Sequence, residues 1–250
     1  MSTLTSSPVN GSDMARILAS LLLLGSILLT CPVLAVELRC LVELDLDQPI
    51  GQFRAVPVEM GKKHPAAVAA LYSEDAEIDP YIGMFFFPES TLKLVVFNEK
   101  GEIAWRRDLG RGVVPGVWFS PVFAFDMNQD GADEIYIVNN TDPEHPMDHR
   151  RYVLEQISAA TGETTGQWPW PQPHTPASMS HTYRHFIGGG MVDGRPVLVA
   201  VQGTYGPHRV HAFGLGMEPL WQVQFDPKED KRSLGSHVTP VVDVDRDGAD

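Results

Sequence analysis

Cysteine is almost missing from this chain: Cys31 and Cys40 are the only two in 250 residues. Cys31 lies in an N-terminal stretch that reads as a signal, and the single remaining cysteine excludes an internal disulfide. A domain of this size without that staple relies on its core, or on bound metal. Basic residues are also scarce: 19 Lys and Arg stand against 32 Asp and Glu, for a net charge of −13. So acidic a chain gains nothing from counterion release, which argues against a nucleic-acid partner. After the N-terminal stretch no segment carries a 3.6-residue apolar period. The main apolar run is Ile17 to Leu29, 13 residues (17 through 29) broken by Ser20, Gly25 and Ser26, too short to span a bilayer comfortably.

That run suits export. Arg16 precedes it, and Val33 and Ala35 place small residues at −3 and −1 of a cleavage site after Ala35. Residues 1–35 therefore read as a secretory signal, directing the protein to periplasm or medium. A lipidated Cys31 would follow Thr30, a poor residue at that place, and an uncleaved anchor is the other alternative. Met14 is an alternative start. Asp13 and Arg16 cancel, so the mature chain keeps its full negative charge and is expected to leave the membrane after cleavage. Residues 36–62 form an N-terminal segment, and residues 63–250 carry repeats.

Glycine (22) and proline (20) are plentiful and favour turns between short strands. The segments 92–109, 151–170 and 208–225 each run strand, glycine turn, strand with a tryptophan. Their glycines are Gly101, Gly162 and Gly216, and their tryptophans are Trp105, Trp168 and Trp221. A second set, 120–138, 184–201 and 239–250, reads strand, Asp-Gly turn, strand. The two sets keep step, which predicts a four-stranded antiparallel meander repeating every ~55–60 residues. Residues 64–73 supply a second strand before the first set, and 51–58 a first. A lone four-stranded sheet cannot bury both faces, whereas a radial array of them can. The fold expected is an all-β propeller, incomplete here: about three blades and the start of a fourth, as in a piece of a longer protein. Each tryptophan is expected between neighbouring blades.

The segment "DMNQDGADEIYIV" crowds carboxylates just ahead of a strand. Asp126, Asn128 and Asp130 stand at alternate positions, with Gly131 at the bend, the Ala132 carbonyl next and Glu134 at the ninth place. Clustered carboxylates repel, and a hard cation with six to eight oxygen ligands removes that cost. An EF-hand would close its loop with Glu at position 12, but that position is Ile137, so Glu134 must close it. Asp243, Asp245 and Asp247 recur in the same frame before Gly248. The plain alternative is a solvated turn rich in Asp and Asn. The middle repeat keeps only Asp193 and is expected to be a metal-free hairpin.

These loops inside a propeller meander resemble the FG-GAP calcium-binding repeats of integrin α-subunit heads. They also resemble the calcium-rich propeller of rhamnogalacturonan lyases of polysaccharide lyase family 11. The resemblance implies Ca²⁺ as cofactor, with Asp126, Asn128, Asp130, Ala132 and Glu134 as one ligand set and Asp243, Asp245 and Asp247 as another. "ISAATGETTGQW" also touches the quinoprotein propeller pattern, but a shared hairpin accounts for that and no vicinal cysteine pair is present.

Ligands of propellers meet the loops leading into the inner strands, here 116–121, 178–186 and 235–240. These bring Trp118, His181, Tyr183, Arg184, His185 and His237 toward one end; His208 and His211 lie elsewhere. A uronate lyase needs a cation or Arg on the sugar carboxylate, a base for the α proton and an acid for the leaving oxygen. His181, Arg184 and His237 are the candidate substrate-binding residues. The same groups suit plain sugar binding, or polar loops without a ligand. A His181–His185 metal pair is disfavoured because the local pattern is loop into strand. The insertion 141–151 reads as a surface loop with solvated histidines. Two functions are carried forward: an exported polysaccharide lyase on acidic polysaccharide, or a non-catalytic glycan- or protein-binding propeller with structural calcium.

Overall fold

The computed structural model describes residues 39–61, 66–76, 87–146, 148–172, 182–204, 207–225 and 241–242. The chain divides into two compact units, Met1–Cys40 and Leu41–Asp250, and the fold described here belongs to the second. The signal segment 1–35 lies outside the described residues, as do His181, His237, Asp243, Asp245 and Asp247.

Twelve strands form three four-stranded antiparallel sheets. The first holds β1 (Gln52–Val58), β2 (Ala67–Ser73), β3 (Lys93–Asn98) and β4 (Ile103–Asp108). The second holds β5 (Val122–Phe125), β6 (Glu134–Asn140), β7 (Tyr152–Ser158) and β8 (Thr164–Pro169). The third holds β9 (His185–Val192), β10 (Arg195–Gln202), β11 (His208–Phe213) and β12 (Pro219–Phe225). Every strand pairs with its sequence neighbour, so each sheet is a meander and thus a propeller blade. β1 lies beside β5, and β5 beside β9, which makes these the inner strands. The expected fold is therefore present, and the first blade draws its inner strand from the segment 36–62.

Side-chain alternation explains the stacking. Ile135 and Ile137 of β6 face the first blade, where they meet Leu71, Leu94 and Val96. Tyr136 and Val138, on the opposite face of β6, join Leu154 and Trp170 against Leu198, Ala200 and Phe213 of the third blade. A period of two thus serves two joints with one strand. Truncating any of the buried Ile or Leu side chains among these to Ala costs about 2–5 kcal/mol. The outer face of the first blade is not bare: Leu44 and Leu46 pack on Ala70, Tyr72, Val95 and Phe97.

Each blade also carries one register shift at the same place, between its third and fourth strands. The shifts fall at Val96/Phe97, Gln156/Ile157 and Ala212/Phe213. The adjoining turn glycines have φ of +80° at Gly101, +75° at Gly162 and +66° at Gly216. Only glycine takes that left-handed conformation without cost, which is why the repeat shows through its glycines. The middle Asp-Gly turn is an ordinary two-residue hairpin, with φ +50° at Asp193 and +70° at Gly194.

Candidate metal loop and the lead-in end

The loop 126–133 joins β5 to β6. Asp126 organises it: Oδ1 accepts the Asp130 N–H at 3.0 Å and Oδ2 the Gly131 N–H at 2.9 Å. Asn128 Oδ1 accepts the same Asp130 N–H at 2.8 Å, and Asp130 Oδ1 accepts from Ala132 N at 2.9 Å. These side chains hold the backbone in a coil that needs left-handed φ at Gln129 (+62°) and Gly131 (+88°). Glu134, at the start of β6, is buried and accepts the Met127 N–H at 3.1 Å.

The donor set is all oxygen apart from one amide, and it fits a hard cation. Asn128 Nδ2 donates to Asp130 Oδ2 at 3.0 Å and to Glu134 Oε1 at 2.7 Å. A weak positive group therefore sits where two carboxylates converge. Glu134 is pushed up to about 7, first by burial and then by Asp130, Asp126 and Asp133, despite the Met127 N–H. The loop thus lacks positive charge. In this arrangement no three His, Cys, Asp or Glu side chains converge tightly enough for an ion among the described residues. A bound cation requires Asn128 to turn its amide.

Asp133 has a role that its place among the loop carboxylates does not reveal. Glu59 N–H donates to Asp133 Oδ2 at 2.7 Å, and Asp133 N–H donates to Glu59 O at 2.8 Å. This two-way pairing ties the loop to the end of β1, so the acidic loop belongs to the joint between two blades. Burial raises the Asp133 carboxyl as well.

At the opposite ends of the strands the described residues of two lead-in loops, 116–121 and 182–186, meet. Arg184 is 5% exposed, and its guanidinium lies 5.2 Å from the Trp118 ring centroid. His185 N–H donates to Trp118 O at 2.8 Å, and its Nδ1 lies 2.8 Å from Phe119 O. A carbonyl can only accept, so Nδ1 carries the proton. Trp118, Tyr183, Arg184 and His185 are thus brought together, as part of a packed joint.

His149 corrects the expectation of solvated histidines in the insertion. His145 is exposed, 2.9 Å from Asp142 through Nδ1, but His149 is only 8% exposed. A 3-10 turn, His149–Arg151, capped by Asp148, turns its ring inward. That ring stands 4.7 Å from Tyr152, 4.2 Å from Tyr183 and 5.6 Å from His185 between centroids. Both His149 ring nitrogens, and His185 Nε2, lack a hydrogen-bond partner among the described residues. Burial holds His149 down at about 4, and burial with the neighbouring His149 holds His185 at about 3.

The fold is shared with known proteins. No protein-family model and no curated protein sequence matches the chain. Among solved structures, exotype rhamnogalacturonan lyase YesX aligns with a TM-score of 0.65 and 17% identity over 83% of this chain and 39% of that one. The Bacillus licheniformis rhamnogalacturonan lyase PL11 aligns with a TM-score of 0.61 and 17% identity, over 81% and 41%. Rhamnogalacturonan lyase YesW aligns with a TM-score of 0.58 and 14% identity, over 71% and 35%. The chain therefore has the propeller fold found in rhamnogalacturonan lyases and spans about two fifths of the length of these structures.

Proposed function

We propose that this chain belongs to an exported, calcium-binding propeller protein that acts on acidic polysaccharide by β-elimination, as rhamnogalacturonan lyases do. The observation that carries the reading is the likeness of its three blades to three rhamnogalacturonan lyase structures. In this reading Asp126, Asn128, Asp130, the Ala132 carbonyl and Glu134 hold calcium, with Asp243, Asp245 and Asp247 forming a second site. The ion supplies the charge that the loop lacks and fixes the turn between the inner strand and its neighbour. Export follows from the signal read in residues 1–35.

Substrate meets the lead-in end, through His181, Arg184 and His237. A uronate carboxylate there needs a cation such as Arg184, and proton transfer needs an imidazole. One observation favours the second reading, a non-catalytic glycan- or protein-binding propeller. Arg184 is buried against Trp118, and His185 is buried with Nδ1 on Phe119 O, so both side chains are shielded from solvent.

The deciding experiment follows ultraviolet absorbance from unsaturated uronates when the secreted protein meets rhamnogalacturonan and calcium, with and without a chelator. A calcium-dependent rise supports the lyase. No rise across several acidic polysaccharides, from folded, calcium-loaded protein, overturns it and leaves the binding reading.

A further inference from the structure

The two blade joints are built differently at the rim. In the first, Trp105 reaches across and its Nε1–H donates to Ala159 O at 2.7 Å. Its indole presses on the next blade's turn: a Cβ on Gly162 would lie 2.7 Å from Trp105 Cδ2. In the second, Trp168 has the equivalent place but does not reach across. It lies back along its own strand, where a Cβ on Gly166 would meet its Cη2 at 2.2 Å. The corresponding turn glycine of the third blade, Gly216, has nothing within 4 Å of that position.

The result is a cleft of about 490 Å³ between the second and third blades, within the usual size of ligand pockets. Trp168 and Pro169 form one wall, and His211, Phe213, Leu220 and Gln222 form much of the other. No side-chain hydrogen bond engages the Trp168 indole, the His211 ring or the Gln222 amide among the described residues. The open surface continues past His211 and Gln222 to Arg209 and Gln224. Arg209 Nε donates to Gln224 Oε1 at 3.0 Å, which fixes a guanidinium at that end.

We propose that this rim cleft is a second carbohydrate site, taking a short uronate-containing oligosaccharide. A pyranose offers an apolar face and a ring of hydroxyls, and the cleft offers aromatic surface beside three unengaged polar groups. Arg209 complements a carboxylate on an adjoining unit. The choice of an acidic sugar rests on the polysaccharide reading above; the open polar groups do not.

Isothermal titration calorimetry of the protein with trigalacturonate, and with neutral maltotriose, tests this. Trigalacturonate should bind, and Trp168→Ala, His211→Ala or Gln222→Ala should each weaken it by about tenfold. Arg209→Ala should weaken trigalacturonate and leave maltotriose unchanged. Since His211 and Gln222 lie toward the outer edge of the blade, these variants fold even if Trp168→Ala does not. No binding, or binding indifferent to the cleft variants, overturns the site; equal affinity for the neutral probe overturns the acidic-sugar assignment. A silent absorbance assay alongside intact trigalacturonate binding removes the lyase reading and keeps this one.

Discussion

Arg107 of β4 donates from Nη2 to Glu155 Oε1 of β7 at 2.9 Å, an ion pair across the joint between the first and second blades. Glu155 is fully buried and also accepts from Asn139 Nδ2 and Thr164 Oγ1, each at 2.5 Å. Arg107 Nη1 reaches Gly162 O at 3.2 Å. Both oxygens of the buried carboxylate are thereby hydrogen-bonded.

Removing one partner leaves a buried charge, and the two partners are not equivalent. Arg107→Ala should cost about 3–5 kcal/mol, because Glu155 stays buried with only neutral donors. Glu155→Gln should cost less, since the side chain of Arg107 is 26% exposed and water can reach it. Urea unfolding of the two variants checks the order; equal losses would show that the pair acts as packing alone.

Calcium should stabilise the protein through the 126–134 loop. At a hundred times its dissociation constant the gain is about 2.7 kcal/mol. Calorimetric unfolding with calcium and with a chelator measures it. Asp126→Ala should shrink the difference, leaving only what the second site contributes, and also lower the chelated protein, because Asp126 holds two backbone N–H groups without any ion. A transition that ignores both calcium and chelator would mark the loop as a polar turn.

The propeller was legible because its signals are local. Alternating strands, turn glycines and one tryptophan per blade recur in the sequence, and the sheets follow their order. The acidic loop was legible for the same reason. What stayed hidden depends on partners distant in sequence. Asp133 looks like one more loop carboxylate until it is seen bonded to Glu59, 74 residues earlier. His149 looks solvated in "TDPEHPMDHRR" because that polar string gives no sign of the Tyr183 and His185 rings that enclose it. The Trp105 and Trp168 positions read alike, yet one seals its joint and the other does not.

The buried imidazole pair should make the second joint acid-sensitive. His149 is held down at about 4 in the folded chain against an unfolded value of 6.5. Between those values the unfolded chain binds more protons, so stability rises with pH. The contribution is full above 6.5 and is lost as pH falls toward 4. For His149 alone the loss between pH 7 and pH 5 is about 2 kcal/mol. His185 acts in the same direction, with its folded value at about 3. His149→Phe keeps an aromatic ring beside Tyr152 and Tyr183 and removes the titration. Thermal midpoints from pH 7 to pH 5 should therefore fall more steeply for the native chain than for the variant; parallel slopes would refute a buried neutral imidazole.

The turn glycines provide a comparison in which backbone strain is matched and contact is not. Gly162 and Gly216 have similar φ, +75° and +66°. Alanine at either position pays about 1 kcal/mol or more for a left-handed backbone. At Gly216 nothing lies within 4 Å of the added carbon, so strain is the whole cost. At Gly162 the added carbon would stand 2.7 Å from Trp105 Cδ2 and 2.8 Å from Cε3. The indole cannot simply withdraw, because its N–H is bonded to Ala159 O on the same turn. Gly162→Ala should therefore cost about 1–3 kcal/mol more than Gly216→Ala, the range for overpacking. Paired denaturant unfolding curves measure that gap. Equal costs would mean that the first joint yields as readily as the second, and that the seal at Trp105 holds nothing together.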